Sequence, residues 1–175
     1  MTRFTAHIPQ IETDRLILRA PALSDLDHLE AFYQTERSHW VGGPLTRNQC
    51  WRVIAGTLGH WLLNGFGMWA LHHKGDDRII GMLGFLNMDG WHEPEMAWNL
   101  HEGFEGKGLA LEAALAARAH AAAHLGLDRM ISYADPANTR SIALMHRLGA
   151  RFEREDALLG KPVHIYRHPK SAEVR

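Results

Sequence analysis

Residues 102–113, EGFEGKGLALEA, set two glycines, Gly106 and Gly108, directly ahead of the best helix-forming stretch in the chain. Glycine does little for a helix start by way of stability, but it lets backbone approach a ligand closely. The first N–H groups of a helix lack internal partners, and the helix dipole adds partial positive charge there. The junction therefore reads as a place where a phosphate can rest on main-chain N–H groups. Three readings of it compete. A P-loop needs Ser or Thr after Gly-Lys and four residues between its glycines, and Gly108-Leu109 does not supply them. A Rossmann turn needs a glycine where Leu111 stands and a strand leading almost directly into the turn, although Asp135 does follow the next strand. The third reading is an ordinary glycine turn before a helix.

Working outward, the pattern alternates between helix and strand periods. RLILR (15–19) is short and β-rich in character, and Ser24 is placed to cap a first helix through DLDHLEAFYQ. A second helix is expected from about Thr46 to Asn64, with Gly65 ending it. It carries Trp51, Ile54, Leu58, Trp61 and Leu62 at helical spacing. Three strands follow in series: GMWALHH, RIIGMLGFLNM and EMAWNLH, the first two joined by the turn KGDD. The middle one is apolar on both alternating faces, as a central strand covered on both sides would be. After the glycines comes a long Ala-rich helix, Gly108 to His124, ending at Gly126. RMISYA is then a strand, NTRSIALMHRL a short helix stopped by Gly149, and RFEREDAL and VHIYRH two last strands around Gly160 and Pro162. The order predicts an α+β fold whose sheet is mixed and mostly antiparallel, with a parallel step around the long helix.

The bulk properties limit the classes of function. At 175 residues, 46% hydrophobic and 22% charged, the chain fits one soluble globular domain, 1–175, with ends 1–12 and 170–175 expected to fray. A formal net charge of -1 gives no field to steer it to nucleic acid or an acidic membrane. A single cysteine, Cys50, allows no intrachain disulfide. No signal-peptide pattern or membrane-spanning run is visible, so a cytoplasmic setting is expected. No metal is expected: His120 and His124 lie one helical turn apart, but Ala121 holds the place of a zinc-protease glutamate and no third ligand is signalled. Cys50 reads as packing. The six tryptophans read mostly as core, with Trp40 and Trp91 in loop-like stretches where they could line a pocket.

Two further segments carry chemistry. Glu95 opens the strand that leads into the glycine turn; it reads as a general base or as a solvated edge residue. In DPANTRSIALMHRLGARF (135–152), Asn138 reads as a helix N-cap. Ser141 takes the place where a capping box prefers Glu or Gln, which leaves its hydroxyl free.

Taken together and in order, EMAWNLHEGFEGKGLALEA and DPANTRSIALMHRLGARFE resemble the two motif blocks of GNAT-type N-acetyltransferases. The likeness is to the branch of ribosomal-protein N-terminal acetyltransferases (RimJ/RimL-like). IETDRLILRAPALSDLDHL resembles that family's first strand and helix, so the likeness covers nearly the whole chain. It implies a GNAT (acyl-CoA N-acyltransferase) fold: a sheet splayed in the middle, between the strands ending near Leu100 and Ala134, flanked by about four helices. Acetyl-CoA would lie in that V. The arm of the cofactor would meet the backbone of Trp98, Asn99 and Leu100. Its pyrophosphate would meet the N–H groups of Glu105, Gly106, Lys107, Gly108, Leu109 and Ala110, with Asn138 beside it. The chain departs from the family in having Glu105 where Gln or Arg is usual, and its side chain is expected to turn away. The strand also has Ala97-Trp98 in place of Gly-Tyr, and His101-Glu102 in place of His-Pro.

The implied reaction is direct attack of a primary amine on the thioester in a ternary complex. Glu95 would take the amine proton, an N–H near Asn99 or Leu100 would hold the oxyanion, and Ser141 would protonate the thiolate. An α-amine of pKa near 7.7–8.0 is on the order of 10% neutral at pH 7, and a lysine on the order of 0.04%. The acceptor would enter between the first two helices, near Trp40, Gly42 and Gly43, and the segment Leu159–Val163. Monomer and homodimer both remain open. A CoA-binding module without turnover and a Rossmann-like oxidoreductase are the alternatives.

Overall fold

In the computed structural model, residues 5, 7–76 and 78–173 are described. Eight strands form one sheet: β1 (Ile11–Glu12), β2 (Leu16–Arg19), β3 (Met68–His73), β4 (Ile79–Leu86), β5 (Glu95–Leu100), β6 (Ile131–Ala134), β7 (Arg151–Leu158) and β8 (Lys161–Arg167). The helices are α1 (Leu26–Tyr33), α2 (Arg47–Asn64), α3 (Leu109–His120) and α4 (Thr139–Arg147). The spatial order is β1-β2-β3-β4-β5-β6-β8-β7. Every pairing is antiparallel except β5 with β6. The expected mixed sheet with a parallel step around the long helix is what forms.

β4 is the central strand, buried along seven of its eight residues. Its glycines permit close backbone contact: a Cβ at Gly84 would lie 2.2 Å from the Gly67 carbonyl oxygen, and one at Gly81 2.2 Å from that of Asn99. One face of the sheet is covered by α3, whose fully buried Ala113, Ala114 and Ala117 let it settle close to Trp69, Phe85 and Met96. The other face is covered by α1 and α2, with Phe32, Cys50 and Ile54 on Met68, Ala70 and Met82. α3 continues through a π-helical turn, Ala121–Leu125, and Gly126 ends it at φ 66°.

Several local expectations shift. Ser24 does not cap the first helix. A 3-10 turn, Leu23–Asp25, precedes it, and buried Asp25 organises the entry by accepting the Ala22 N–H at 2.8 Å and pairing with Arg19 at 2.6 Å. α2 has the expected ends, with Thr46 and Gln49 in a capping box and Gly65 at φ 74°. Its buried stripe is turned by one residue, to Cys50, Ile54, Thr57 and Trp61, while Trp51, Leu58 and Leu62 face outward at 48%, 37% and 41% exposure. Two adjacent apolar lines on one helix leave the centre of the packed face undetermined by periodicity. Of the tryptophans only Trp61 and Trp69 are core residues; Trp40 is 45% exposed and Trp91 and Trp98 are half-buried. Within the stretch expected to fray, Ile11–Glu12 pair with β2, and the Pro9 carbonyl accepts the Trp69 indole N–H at 2.8 Å. Asp77 of the KGDD turn lies outside the described residues.

Candidate active site

β5 and β6 share one paired position, Glu95 with Ile131. Beyond it each strand belongs to a different half of the sheet, β5 to β4 and β6 to β8, and the two edges part. The expected splay is therefore present, with its apex at Glu95 and its mouth at Leu100 and Ala134. Just above the apex the Ser132 hydroxyl reaches across and donates to the Met96 carbonyl at 2.5 Å. That contact fixes which residues face the gap. Backbone direction alternates along a strand, so Trp98, two residues on, also turns its N–H and C=O toward β6. Asn99 faces β4, where its side-chain oxygen accepts the Met82 N–H at 3.2 Å.

At the mouth, the loop 101–108 contains three glycines with positive φ: Gly103 (86°), Gly106 (73°) and Gly108 (78°). Gly108 is the N-cap of α3 and has no side chain to accept from the helix. The first helical bond runs from the Glu112 N–H to the Gly108 carbonyl at 3.0 Å, so the N–H groups of Leu109, Ala110 and Leu111 lie ahead of the helical ladder. The loop is fastened from behind. Arg15 donates to the Lys107 carbonyl at 2.9 Å and pairs with Glu112 at 2.7 Å, and Glu112 also accepts the Thr13 hydroxyl at 2.5 Å. Sequence reading missed this brace, because its partners are about a hundred residues apart and belong to no local motif.

The Glu105 side chain is turned to Arg37 and its own loop. Its carboxylate pairs with Arg37 at 2.9 Å and lies against the N–H groups of Glu105 and Gly103, and one oxygen is buried without a hydrogen-bond partner. Burial works against its ionisation, but these donors prevail and its pKa is lowered. None of them is a helix-start N–H. Arg37 also donates to the Leu100 carbonyl at 3.4 Å, so the segment after α1 is tied to the mouth of the gap. That segment, a 3-10 turn Glu36–Val41, carries the exposed Trp40. Gly42 ends the turn at φ 88°, and a Cβ on Gly43 would strike the Ser38 hydroxyl at 2.1 Å.

Glu95 is 7% exposed, and burial raises its pKa to about 8. The Trp91 indole N–H lies near enough to lower it slightly, but is not aligned as a hydrogen bond and has no other partner. Ala97, two residues along, packs on the α1/α2 side of the sheet, so Glu95 faces that side. Tyr133 shares the face; its hydroxyl accepts the His92 N–H at 3.2 Å and is 3.0 Å from His92 Nδ1. Leu159, at the β7–β8 turn, lies close to Gly90 in the loop that carries Trp91. Trp91 and Tyr133 thus lie near Glu95, with His92 on Tyr133 and the β7–β8 turn beside the loop that carries Trp91; of these the sequence singled out Trp91 and the turn.

Ser141 lies on the other side. Trp98, Ile142 and Met145 form one cluster under α4, and the Ser141 N–H bonds the Asn138 side chain at 3.2 Å, which establishes Asn138 as the N-cap. The Ser141 hydroxyl makes no hydrogen bond to the described residues. Glu95 and Ser141 therefore flank the gap from opposite faces of the sheet. Elsewhere, the His120 and His124 rings lie 4.7 Å apart and tilted by 48°, and Cys50 is fully buried. Among the described residues no group of three potential ligands could hold a metal, and no helix is long and apolar enough to cross a membrane.

The family model of the acetyltransferase (GNAT) domain matches residues 15–151, and the chain belongs to that family. An acetyltransferase from Agrobacterium tumefaciens is similar in structure, with a TM-score of 0.86 and 31% identity, covering 97% of this chain and 99% of the other. The chain is 25% identical over 166 residues to the [ribosomal protein uS5]-alanine N-acetyltransferase of Escherichia coli, covering 89% of this chain and 84% of that protein. RimL, a ribosomal L7/L12 α-N-protein acetyltransferase solved in complex with coenzyme A, shares the fold at 19% identity and a TM-score of 0.77, covering 94% of this chain and 100% of the other.

Proposed function

We propose that the protein is an acetyl-CoA-dependent N-acetyltransferase acting on a primary amine, of the RimJ/RimL-like kind. The observation that carries this is the gap itself. Two parallel strands part after one pair, and the gap leads to helix-start N–H groups with no capping side chain. Those donors suit a pyrophosphate, and the inward-facing Trp98 backbone suits the amides of a pantetheine arm. The named activity of the E. coli relative and the coenzyme in the RimL complex support the same reading.

In this assignment Leu109, Ala110 and the glycine loop hold the pyrophosphate. Trp98 and Leu100 align the arm, and Asn138 keeps the start of α4 beside it. Bound acetyl-CoA supplies an acetyl group already activated as a thioester. The amine approaches from the α1/α2 face, past Trp40, Gly42, Gly43 and the β7–β8 turn. Glu95, in its ionised form, takes the proton from the amine nitrogen as the C–N bond forms. The Leu100 N–H, which alternates with that of Asn99 and faces the gap, donates to the developing oxyanion; Asn99, also expected for this role, is turned to β4. Ser141, on the opposite face, gives its hydroxyl proton to the departing sulfur and is reprotonated from water. With a pKa of about 8, Glu95 is mostly protonated at pH 7 and gains basic form as pH rises. A protein or peptide α-amine, itself partly neutral in this range, needs about 3.5 kcal/mol less help than a lysine.

The test measures kcat with saturating acetyl-CoA and an amine panel that includes peptides with free N-termini. Glu95→Gln is expected to lower kcat by roughly 10²–10⁴ and to remove a rising pH limb centred near 8. Ser141→Ala is expected to lower kcat by a smaller factor. Full kcat in both variants, with normal CoA binding, refutes the roles.

A further inference from the structure

The carboxyl half of α3 and the last turn of α4 enclose a second open cleft with the ends of the last strands. Its volume is about 850 Å3, within the roughly 300–1,000 Å3 usual for small-molecule sites. It lies at the opposite end of these helices from the glycine loop, beside the start of β6 and the end of β8, where the β5–β6 gap is closed.

Five guanidinium groups line it: Arg118, Arg129, Arg147, Arg151 and Arg167. Two carboxylates, Glu153 and Glu173, line it with them, an excess of positive charge in a chain whose net charge is -1. Arg167 is committed to Glu93 at 2.8 Å and Glu153 at 2.7 Å. The other four arginines pair with no carboxylate among the described residues. Arg118 is 3% exposed, yet its one hydrogen bond to a described residue is from Nη1 to the Leu148 carbonyl at 2.7 Å. A buried guanidinium that touches no carboxylate, with only the charge of Asp128 near it, is costly. Capping of the α4 carboxyl end explains part of the cluster, since Arg118 and Arg147 both suit that end of the dipole. It leaves Arg151 unexplained, and Arg129 has only the nearby charge of Glu153.

His168, fully buried, also lines the cleft. The single proton of the Ser132 hydroxyl is given to Met96, so His168 Nε2, 2.9 Å from that oxygen, is the donor between them. Nδ1 is then a bare acceptor, buried and unpartnered. Phe152, half-exposed, adds an aromatic ring to the same wall.

We propose that this cleft binds a small phosphate ester carrying a planar ring, of the nucleotide class. The guanidinium groups not held by carboxylates take the phosphate and Phe152 takes the ring, while the unpartnered His168 lies buried behind that wall. The cleft is far larger than one phosphate ion, which is why an ester with a ring fits it better than a free ion. The site is separate from the β5–β6 gap and does not rest on the acetyl-transfer reading.

The experiment is calorimetric titration of the full chain, first saturated with CoA so that a nucleotide cannot report on the gap. The probes are uridine 5′-monophosphate, inorganic phosphate and uridine. The nucleotide is expected to bind more tightly than ~1 mM, phosphate at least ~10-fold more weakly, and uridine not measurably. Arg147→Gln/Arg151→Gln, at two exposed positions, is expected to weaken nucleotide binding at least ~10-fold while leaving the CoA titration unchanged. Phe152→Ala should weaken the nucleotide and spare phosphate. Absence of nucleotide binding, or unaltered binding by the double variant, overturns the site. Equal affinity for nucleotide and phosphate overturns its assignment to a ring-bearing ester.

Discussion

At its amino end α3 offers main-chain N–H groups behind glycines at φ 73° and 78°; at its carboxyl end it offers Arg118 among four other arginines. The first arrangement is built from one contiguous loop and depends on backbone conformation. The second is built from side chains of five separate segments and depends on tertiary placement. Each has an acidic moderator. Glu105 folds onto the glycine loop and is held by Arg37, while Glu153 and Glu93 hold Arg167. Donors fixed in the backbone need no counter-charge, whereas a cluster of guanidinium groups repels itself until an anion arrives.

The comparison breaks most readily at the glycines. Gly106 and Gly108 adopt a conformation that costs an L-residue roughly 1–2 kcal/mol, more for a β-branched one. Gly108→Val is expected to weaken CoA binding at least ~10-fold, equivalent to about 1.4 kcal/mol, with nucleotide binding at the arginine cleft unchanged in calorimetry. If one titration falls with the other, the two ends are not independent.

A second effect, on stability and not on binding, concerns acid. His101 stacks on Phe32 at 4.8 Å near the loop's start, and His168 lies at the other end of the helix. Burial is the main cause that lowers both pKa values to about 4. An unfolded histidine binds a proton below about 6.5, and the folded ones resist until about 4, so stability is full above that window and falls as pH drops through it. Each group contributes on the order of a few kcal/mol at most. Urea unfolding at pH 7 and pH 4.5 should show this loss, and His101→Phe should lessen it. An unchanged pH dependence in that variant removes His101 from the account.

The smallest effect is expected at Glu105. The pair with Arg37 is partly exposed, and such pairs contribute about 0–1 kcal/mol. Glu105→Gln should leave the melting temperature nearly unchanged and tighten CoA a few-fold by removing a negative charge beside the loop. A weakened affinity would make the carboxylate a structural support of the loop instead.

The glycine loop, the Asn138 cap and the strand carrying Glu95 were legible because each depends on short-range chemistry. An N-cap acts within three residues, and a positive-φ turn marks itself with glycine. The arginine cleft was not legible, since Arg118, Arg129, Arg147, Arg151 and Arg167 form no local pattern. The brace of Arg15 on Lys107 and Glu112 was hidden for the same reason, and so was the clustering of Tyr133 and His92 near Glu95. In α2, periodicity indicated the helix and its caps but not which of two adjacent apolar lines would pack.

By itself, then, the sequence determined the kinds of element, their order, the parallel step and the phosphate-ready helix start. These follow from hydrophobic period, capping and backbone freedom, which act over a few residues. Tertiary structure alone decided that β8 lies between β6 and β7, that Glu95 sits buried at the apex with a raised pKa, and that Glu105 turns onto its own loop. Burial and charge pairing depend on what arrives from distant parts of the chain, and neither is written in any one segment.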